Sequence, residues 1–193
     1  MSIDLLAVAP DLVALLRDRR SRPTLGAPAP NPSELHELLV AACSAPDHGR
    51  LRPWRFVVVD GAGRESLGEA FAAAQAERNP SANAVKLARH RAQPLRAPMI
   101  VVVVGTPREH PKVPVWEQRA AVACVAYGLL LAAHARGFGA MWRTGWYGDD
   151  PKVRAHLGVT GGEEVTGWIY LGTPTGSVPA PRAAVEPSVT WLR

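Results

Sequence analysis

A continuous apolar segment, residues 120–133, constrains the fold more than any other feature of the chain. Arg119, His134 and Arg136 bracket it. The segment is shorter than the roughly 18 residues that a membrane-spanning helix needs. We therefore predict a buried helix over residues 116–136. Because this helix is apolar on all sides, it is expected to lie between a sheet and a second subunit.

β-Branched residues predict the strands of the sheet. Residues 56–60 and 99–104 are rich in Val and bounded by Gly and Pro, and the second strand is expected to be buried on both faces. Similar patterns predict strands at residues 140–143 and 165–171. The helices are predicted from apolar spacing, from Pro and Gly positions, and from helix-starting residues such as Ser33. They cover residues 11–19, 33–43, 64–78, 84–91 and 149–157.

Composition limits the class of protein. The chain of 193 residues suits one domain. A composition of 47% hydrophobic and 20% charged residues is typical of globular proteins. A net charge of +5 and a pI near 9.8 suggest nucleic-acid binding, but no block of Lys and Arg is dense enough for a basic arm. We expect no nucleic-acid partner.

The densest basic stretch is expected to face solvent, with attraction of nucleotide phosphates as the alternative. It contains Lys86, Arg89, His90, Arg91 and Arg96.

The two cysteines, Cys43 and Cys124, lie in apolar, helix-like sequence without a nearby partner. This pattern supports neither a disulfide framework nor a zinc site, and both residues are predicted to be small core residues. The histidines lack the spacing of metal ligands, so no metal is expected. The N-terminal segment lacks the layout of a signal peptide. We therefore expect a cytoplasmic protein that does not associate with membranes.

A glycine-containing segment after the first predicted strand resembles a dinucleotide-binding loop. It reads Gly61-Ala62-Gly63-Arg64 and lacks the third glycine of that loop. No second strand with an acidic end follows about 20 residues later. We interpret the segment as a turn followed by a helix start.

Three polar residues near the N-terminus, Arg19-Arg20-Ser21, have two interpretations. Two guanidinium groups and a hydroxyl are well suited to binding a phosphate group. Cations are also favourable near the last carbonyls of a helix, and an apolar run precedes these residues. The motif alone leaves both interpretations open.

Taken in order, several blocks of the chain resemble the nitroreductase family of FMN-dependent, NAD(P)H-oxidising enzymes. No single block is decisive, but their order along nearly the whole chain is. The blocks are Arg19-Arg20-Ser21, Ala45-Pro46-Asp47-His48, Arg52-Pro53-Trp54-Arg55-Phe56, His110-Pro111-Lys112-Val113-Pro114, Trp116-Glu117-Gln118, Gly137-Phe138-Gly139, Trp142-Arg143-Thr144 and Tyr170-Leu171-Gly172-Thr173-Pro174.

The resemblance implies an α+β fold in which helices flank a central, mostly antiparallel sheet. It also implies an intertwined homodimer with one FMN in each of two clefts between the subunits. The single domain would cover residues 1–193. Its C-terminal arm, about residues 175–193, is expected to pack on the partner subunit.

The resemblance also implies the residues of the cofactor site. Phosphate or ribityl oxygens would be held by Arg19, Ser21 and Arg143. His48 and Arg52 would lie beside the flavin ring, contributed by the other subunit. The remaining cofactor-binding residues would be Arg20, Ser44, Trp142 and Thr144. No side chain is assigned as catalytic, because the flavin carries the chemistry.

Arg52 and the segment Asp47-His48-Gly49 each have two interpretations. Arg52 stands where the family commonly has Gln, and its guanidinium would either stabilise the reduced, anionic flavin or point to solvent. Asp47-His48-Gly49 also has a purely structural interpretation, as a turn in which Asp47 bonds its own backbone.

The function implied is hydride transfer from NAD(P)H to FMN and then, in a ping-pong cycle, to a small acceptor such as a nitroaromatic or a quinone. A flavin- or nucleotide-binding sensor or carrier without turnover is the alternative.

Overall fold

The computed structural model describes residues 5–177, 180, 183 and 185–193, with side chains from residue 12 onward. Helices and strands alternate irregularly along the chain. The helices are α1 (Leu5–Asp18), α2 (Pro32–Ala42), α3 (Gly61–Arg78), α4 (Ala84–Arg91), α5 (Val115–Ala135) and α6 (Pro151–His156). The strands are β1 (Leu25–Gly26), β2 (Trp54–Asp60), β3 (Met99–Gly105), β4 (Gly139–Arg143) and β5 (Glu164–Pro174).

All strand pairs of the sheet are antiparallel. The order is β1–β5–β3–β2, and β4 also pairs with β5. β3 and β4 both pair with the Trp168–Leu171 part of β5, so they lie on its opposite edges. This arrangement confirms the predicted α+β class. It also confirms that Gly61 starts a helix, since a dinucleotide-binding unit requires parallel strands.

β3 lies at the centre of the sheet, and all seven of its residues are buried. Its side chains alternate between two hydrophobic cores, as the period of a strand requires. Ile100 and Val102 belong to the core beneath α3 and α6, whereas Val101 and Val103 belong to the core beneath α2 and α5. The prediction of a strand buried on both faces is confirmed.

Helix α5 packs one side against the sheet and leaves the other side uncovered. Val125 and Leu129 are fully buried, whereas Trp116 is 66% exposed and Tyr127 is 41% exposed. By length and composition α5 could cross a membrane, the one helix among the described residues for which this holds. Its buried side packs against β3 and β5, as a core helix does.

The structure corrects the predictions for two cysteines and one helix start. Cys43 and Cys124 are exposed, not core residues. Cys43 lies just beyond the last residue of α2, and a helix that is apolar on all sides gives no periodicity to show that Cys124 faces outward. Helix α2 is capped by Asn31, whose Oδ1 accepts the Glu34 backbone N–H at 3.0 Å, and not by Ser33.

Close contact between α3 and α4 depends on Gly68. A Cβ atom added there would overlap the carbonyl oxygen of Arg91, which is the last residue of α4. The absence of a side chain therefore sets the distance between the two helices.

We expect Gly68→Ala to lower the free energy of unfolding by about 1–3 kcal/mol, because α4 must move away from α3. Urea denaturation measures this change. Gly162→Ala is the matched control, since an added Cβ there meets no atom within 4 Å. Equal stabilities of the two variants would contradict the role given to Gly68.

Candidate functional site

Arg19 follows the C-terminal end of α1 and is buried, with 8% of its surface exposed. Its Nη1 atom has no hydrogen-bond partner among the residues that the structure describes. Burying part of a guanidinium without a partner costs free energy, because the charged group loses hydration. Arg19 therefore fits an anionic ligand that would supply acceptor oxygens.

A cavity of about 200 Å³ opens beside Arg19, and Arg20, Arg22 and His134 help to line it. The backbone N–H of Arg22 donates to the Ala140 carbonyl at 3.0 Å, which holds this segment along β4. Burial lowers the pKa of His134, and the charges of Arg19 and Arg22 lower it further. The imidazole is therefore neutral near pH 7, and the positive charge of the cavity comes from its arginines.

Arg20 supports the helix-end interpretation of the N-terminal motif, whereas phosphate binding by this motif stays a prediction. Nη1 of Arg20 donates to the Arg17 carbonyl oxygen at 2.6 Å, so this guanidinium stabilises the end of α1. Its Nε atom has no partner within the described part of the chain. Ser21 is exposed and follows directly. The motif thus ends a helix and also places Arg19 against a cavity.

The loop after α2 is organised by Asp47. Its Oδ2 accepts the Arg52 backbone N–H at 2.7 Å, and its carbonyl oxygen accepts the N–H of Arg50 at 3.1 Å. Gly49, Arg50 and Arg52 have left-handed φ values of 75°, 53° and 48°. The predicted turn at Asp47 is confirmed. It orients the side chains of this loop outward.

His48 joins the loop to α5. Its Nδ1 lies 2.7 Å from Oε2 of Glu117, in the first turn of that helix. The side chain of His48 is 59% exposed, so the rest of the ring remains open to a ligand. Glu117 thus positions His48.

The other two predicted residues of this loop, Ser44 and Arg52, differ in whether their polar groups are already used within the chain. Ser44 donates its hydroxyl to the Ala41 carbonyl oxygen at 2.7 Å, so this group is used by the end of α2. Arg52 is exposed. Arg52 remains a candidate for contact with a ligand, whereas the geometry does not favour Ser44.

A second cavity, of about 420 Å³, lies at the end of β4 and beyond it. Trp142 lines it and donates Nε1–H to the Thr166 carbonyl oxygen at 3.4 Å. A Cβ added at Gly167 would overlap the indole of Trp142, so only glycine leaves room for that ring. Arg143 lies over the ring of Tyr170, with Cζ 5.5 Å from the centroid.

The full lining of this second cavity is Phe71, His90, Gln93, Met141, Trp142, Arg143, Thr144, Gly145, Trp146, Tyr147, Trp168 and Tyr170. We call this the aromatic cavity.

One wall of the aromatic cavity is a stack of side chains. The Tyr147 ring lies 3.8 Å from that of Phe71, nearly parallel to it, and 4.2 Å from that of Trp146. Arg78 lies over the ring of Trp146, with Cζ 4.8 Å from the ring centroid. This stack fixes the turn after Thr144 against α3.

The polar end of the aromatic cavity is formed by Tyr147, His90 and Gln93. The Tyr147 hydroxyl contacts Nδ1 of His90 and accepts Nε2–H of Gln93 at 3.2 Å. Burial raises the pKa of Tyr147 to about 12. Burial and the nearby charges of Lys86 and Arg89 lower the pKa of His90. Both groups are therefore neutral near pH 7, and the tautomer of His90 sets which of the two donates in their contact.

The structure does not bring all of the predicted residues together. The β4 group (Trp142, Arg143 and Thr144) and the loop group (His48 and Arg52) lie at opposite sides of the sheet. Their strands are β4 and β2, which are separated by β5 and β3. This separation is about 14 Å at the usual spacing of strands. Arg19 and Arg20 line a different cavity from the β4 group.

Sequence reasoning missed several residues of the aromatic cavity. Tyr147 is close to the Trp142 block in sequence and would have been found by extending that block. His90 and Gln93 come from α4 and the turn after it, more than 45 residues earlier in sequence, and no local pattern connects them to β4.

Arg55, which lies in one of the family blocks, forms a structural ion pair. Its Nε and Nη2 donate to Oε1 and Oε2 of Glu163 at 2.6 and 2.7 Å. The Thr160 backbone N–H donates to the same carboxylate at 2.8 Å. The hydrogen bond from Arg55 is the main cause that lowers the pKa of Glu163 to about 2. This pair joins β2 to the turn before β5.

The antiparallel sheet with helices on both faces is a nitroreductase-like α+β fold. A nitroreductase-like family protein from Bacillus cereus has this fold, with 25% identity, a TM-score of 0.78 and coverage of 91% of each chain. The chain belongs to the nitroreductase family, since the model of that family matches residues 16–173.

Two further proteins are similar to the chain. One is "Putative NAD(P)H nitroreductase YdjA" of Escherichia coli (strain K12), 38% identical over 164 residues that cover 85% of this chain and 88% of that protein. The other is a nitroreductase with bound FMN from Bacteroides fragilis, at 23% identity and a TM-score of 0.74, covering 96% of this chain and 100% of that one. The second similarity concerns the fold alone.

We expect Glu163→Gln to lower the free energy of unfolding by about 1–2 kcal/mol at pH 7, because the variant loses the pairing with Arg55. The folded-state pKa of Glu163 is about 2, below the usual 4.5, so its contribution is present above pH 4.5 and is lost as the pH falls toward 2. Wild type and variant should therefore converge in acid. Chemical denaturation across this pH range measures the difference, and Glu69→Gln, in an exposed pair with Arg91, is the control. A difference that does not shrink in acid would contradict this assignment.

Proposed function

We propose that this protein is an FMN-dependent NAD(P)H oxidoreductase that reduces small acceptors of the nitroaromatic or quinone type. Membership of the nitroreductase family and the NAD(P)H nitroreductase named among the relatives support the class of reaction. The FMN bound in the B. fragilis structure supports the cofactor. The observation on this chain that carries the proposal is the buried Arg19, whose Nη1 has no partner among the described residues.

Arg19 would bind the phosphate of FMN, with Arg20 and Ser21 beside it. A phosphate supplies the acceptor oxygens that Arg19 lacks, and charge-assisted hydrogen bonds of this kind are strong. Arg22 adds positive charge to the same cavity. The neutral His134 can accept or donate one hydrogen bond there without changing that charge.

Trp142, Arg143 and Thr144 would form the wall against which the flavin lies. When bound, FMN would accept hydride from NAD(P)H and pass it to the acceptor. The residues of the chain would orient the ring and exclude water. The fixed turn after Thr144 and the stacked rings of Trp146 and Tyr147 give this wall a defined shape.

Arg52 would stabilise negative charge on the reduced flavin. It is exposed in the single chain, and its left-handed backbone directs the loop outward. A guanidinium is positively charged, whereas the Gln that the family commonly has at this position is neutral. Near the ring it would raise the reduction potential.

A homodimer would complete the site. The loop group and the β4 group lie on opposite sides of one sheet, and a second copy related by two-fold symmetry would bring each group to the other. The uncovered side of α5, with Trp116, Cys124 and Tyr127, is a suitable contact surface. We also propose that the arm of residues 175–193 packs on the partner. Trp191 and Leu192, at its end, are 74% and 95% exposed in the single chain.

The alternative is a flavin carrier or sensor without turnover. Purified protein loaded with FMN and desalted would retain a flavin spectrum in both cases. Bleaching by anaerobic NADH or NADPH, followed by steady consumption with an added quinone, would identify an enzyme. Retained flavin that neither nucleotide reduces would favour the carrier.

We expect Arg19→Gln to weaken FMN binding about 10- to 100-fold, because a charge-assisted hydrogen bond is lost. Quenching of flavin fluorescence measures the affinity. The melting temperature of the flavin-free variant should not fall, since the Nη1 of Arg19 makes no hydrogen bond to the described residues. Arg17→Gln, at a position with a 73% exposed side chain, should bind FMN as the wild type does. Unchanged FMN affinity of Arg19→Gln would remove Arg19 from the site.

Mixed dimers test whether two subunits share each site. We expect neither Arg19→Gln nor the double variant His48→Ala/Arg52→Ala to support full turnover by itself. In a mixed dimer of these chains, one of the two sites would take Arg19 from one subunit and His48 and Arg52 from the other, all intact. Coexpression with two affinity tags, followed by assay of the mixed dimer, should recover about half of the wild-type activity. If the mixed dimer recovers no activity, Arg19, His48 and Arg52 of the same subunit form one site.

A further inference from the structure

A groove of about 690 Å³ runs along α4 and the turn that follows it. His90 and Gln93 line both this groove and the aromatic cavity, so the two spaces share a wall. The groove is lined by Asn79, Ser81, Ala82, Asn83, Val85, Lys86, Arg89, His90, Gln93 and Arg96. We call it the basic groove.

The cations of the basic groove are not neutralised by the described part of the protein. Lys86, Arg89 and Arg96 form no salt bridge there, and no Asp or Glu is among the lining residues. Arg91, on the same helix but outside the groove, pairs with Glu69 at 2.5 Å. The groove therefore collects three unpaired positive charges along α4 and the turn that follows it.

These charges act on the wall that the groove shares with the aromatic cavity. Lys86 and Arg89 add to the burial that lowers the pKa of His90. Arg96 opposes the burial that raises the pKa of Tyr147 and Tyr170, both of which line the aromatic cavity. The positive potential of the groove thus extends to the Tyr147 side of the cavity.

The two spaces together fit a ligand with a flat ring at one end and several negative charges at the other. The rings of the aromatic cavity suit a planar group, and three unpaired cations suit more charge than one carboxylate carries. Ser81 and the side-chain amides of Asn79 and Asn83 add polar atoms along the groove. Phosphate groups of a dinucleotide have this chemistry.

We propose that the basic groove binds the phosphate groups of the nicotinamide dinucleotide donor while its nicotinamide ring lies in the aromatic cavity. This inference rests on the proposed function. Lys86, Arg89 and Arg96 contribute to donor affinity and not to the hydride step. NADPH carries one phosphate more than NADH and interacts more strongly with the groove.

The test compares Lys86→Gln/Arg89→Gln/Arg96→Gln with wild type on three donors: NADPH, NADH and the phosphate-free 1-benzyl-1,4-dihydronicotinamide. We expect kcat/KM for NADPH to fall about 10- to 100-fold through KM, with a smaller loss for NADH. The benzyl donor should be oxidised at the wild-type rate. An unchanged KM for NADPH, or an equal loss with the benzyl donor, would overturn the inference.

Arg91→Gln is the control for loss of a cation from the same helix, since Arg91 does not line the groove. It should leave all three donors unaffected. Raising the salt concentration should weaken NADPH turnover by the wild type and leave the benzyl donor unchanged, because screening acts on the charged groups. Altered use of a sulfonated quinone by the triple variant, with NADPH unchanged, would assign the groove to acceptors and contradict the inference.

A binding measurement separates this inference from the proposed function. Calorimetric titration with 2′,5′-ADP should show binding to wild type and to Arg91→Gln, and its loss in the triple variant. Oxidation of the benzyl donor by wild type without binding of 2′,5′-ADP would support the proposed oxidoreductase activity. It would contradict donor binding in the basic groove. Binding of 2′,5′-ADP without oxidation of any donor would contradict the proposed function alone.

Discussion

The pairing of β3 on both edges, with a hydrophobic core on each face, is the constraint on which the rest of the structure depends. Seven buried residues can be accommodated only if neighbouring strands satisfy every backbone group and helices cover both faces. β2 and β5 meet the first requirement, and α3 and α5 contribute to the second. The central strand thereby sets which groups end up at each edge of the sheet.

This arrangement explains why one chain holds its candidate site in separate parts. The loop with His48 enters β2 at one edge, and Trp142 and Arg143 lie in β4 at the other. No small adjustment of loops moves one group to the other, because two strands lie between them. In the proposed dimer, a second chain facing the first would bring the two groups together, and it would also cover the apolar side of α5. The same contact would then complete two sites and bury an otherwise exposed surface.

Much of the fold was predictable because its signals are local. Val-rich strands, Pro and Gly positions and apolar spacing located most of the larger helices and strands to within a few residues, but α1 begins at Leu5, six residues before the predicted start. The outward direction of Cys124 was not predictable, since an all-apolar helix has no polar face to mark solvent. No strand was predicted at β1, because a strand of two residues is too short to show the alternation of apolar and polar residues. For the site, the Trp142 block was found from sequence, whereas the place of His90 in the same cavity depends on how α4 packs on α3.

The contact between Gly68 and the Arg91 carbonyl has a consequence for how the protein can diversify. It holds α4 against α3, and α3 in turn carries Phe71, which stacks on Tyr147 in the wall of the aromatic cavity. The helix that bears the basic groove and the wall that shapes the cavity are therefore both held by α3. Exchange of outward side chains along α4, one charge at a time, would alter the charge of the groove while leaving the contacts that shape the cavity in place.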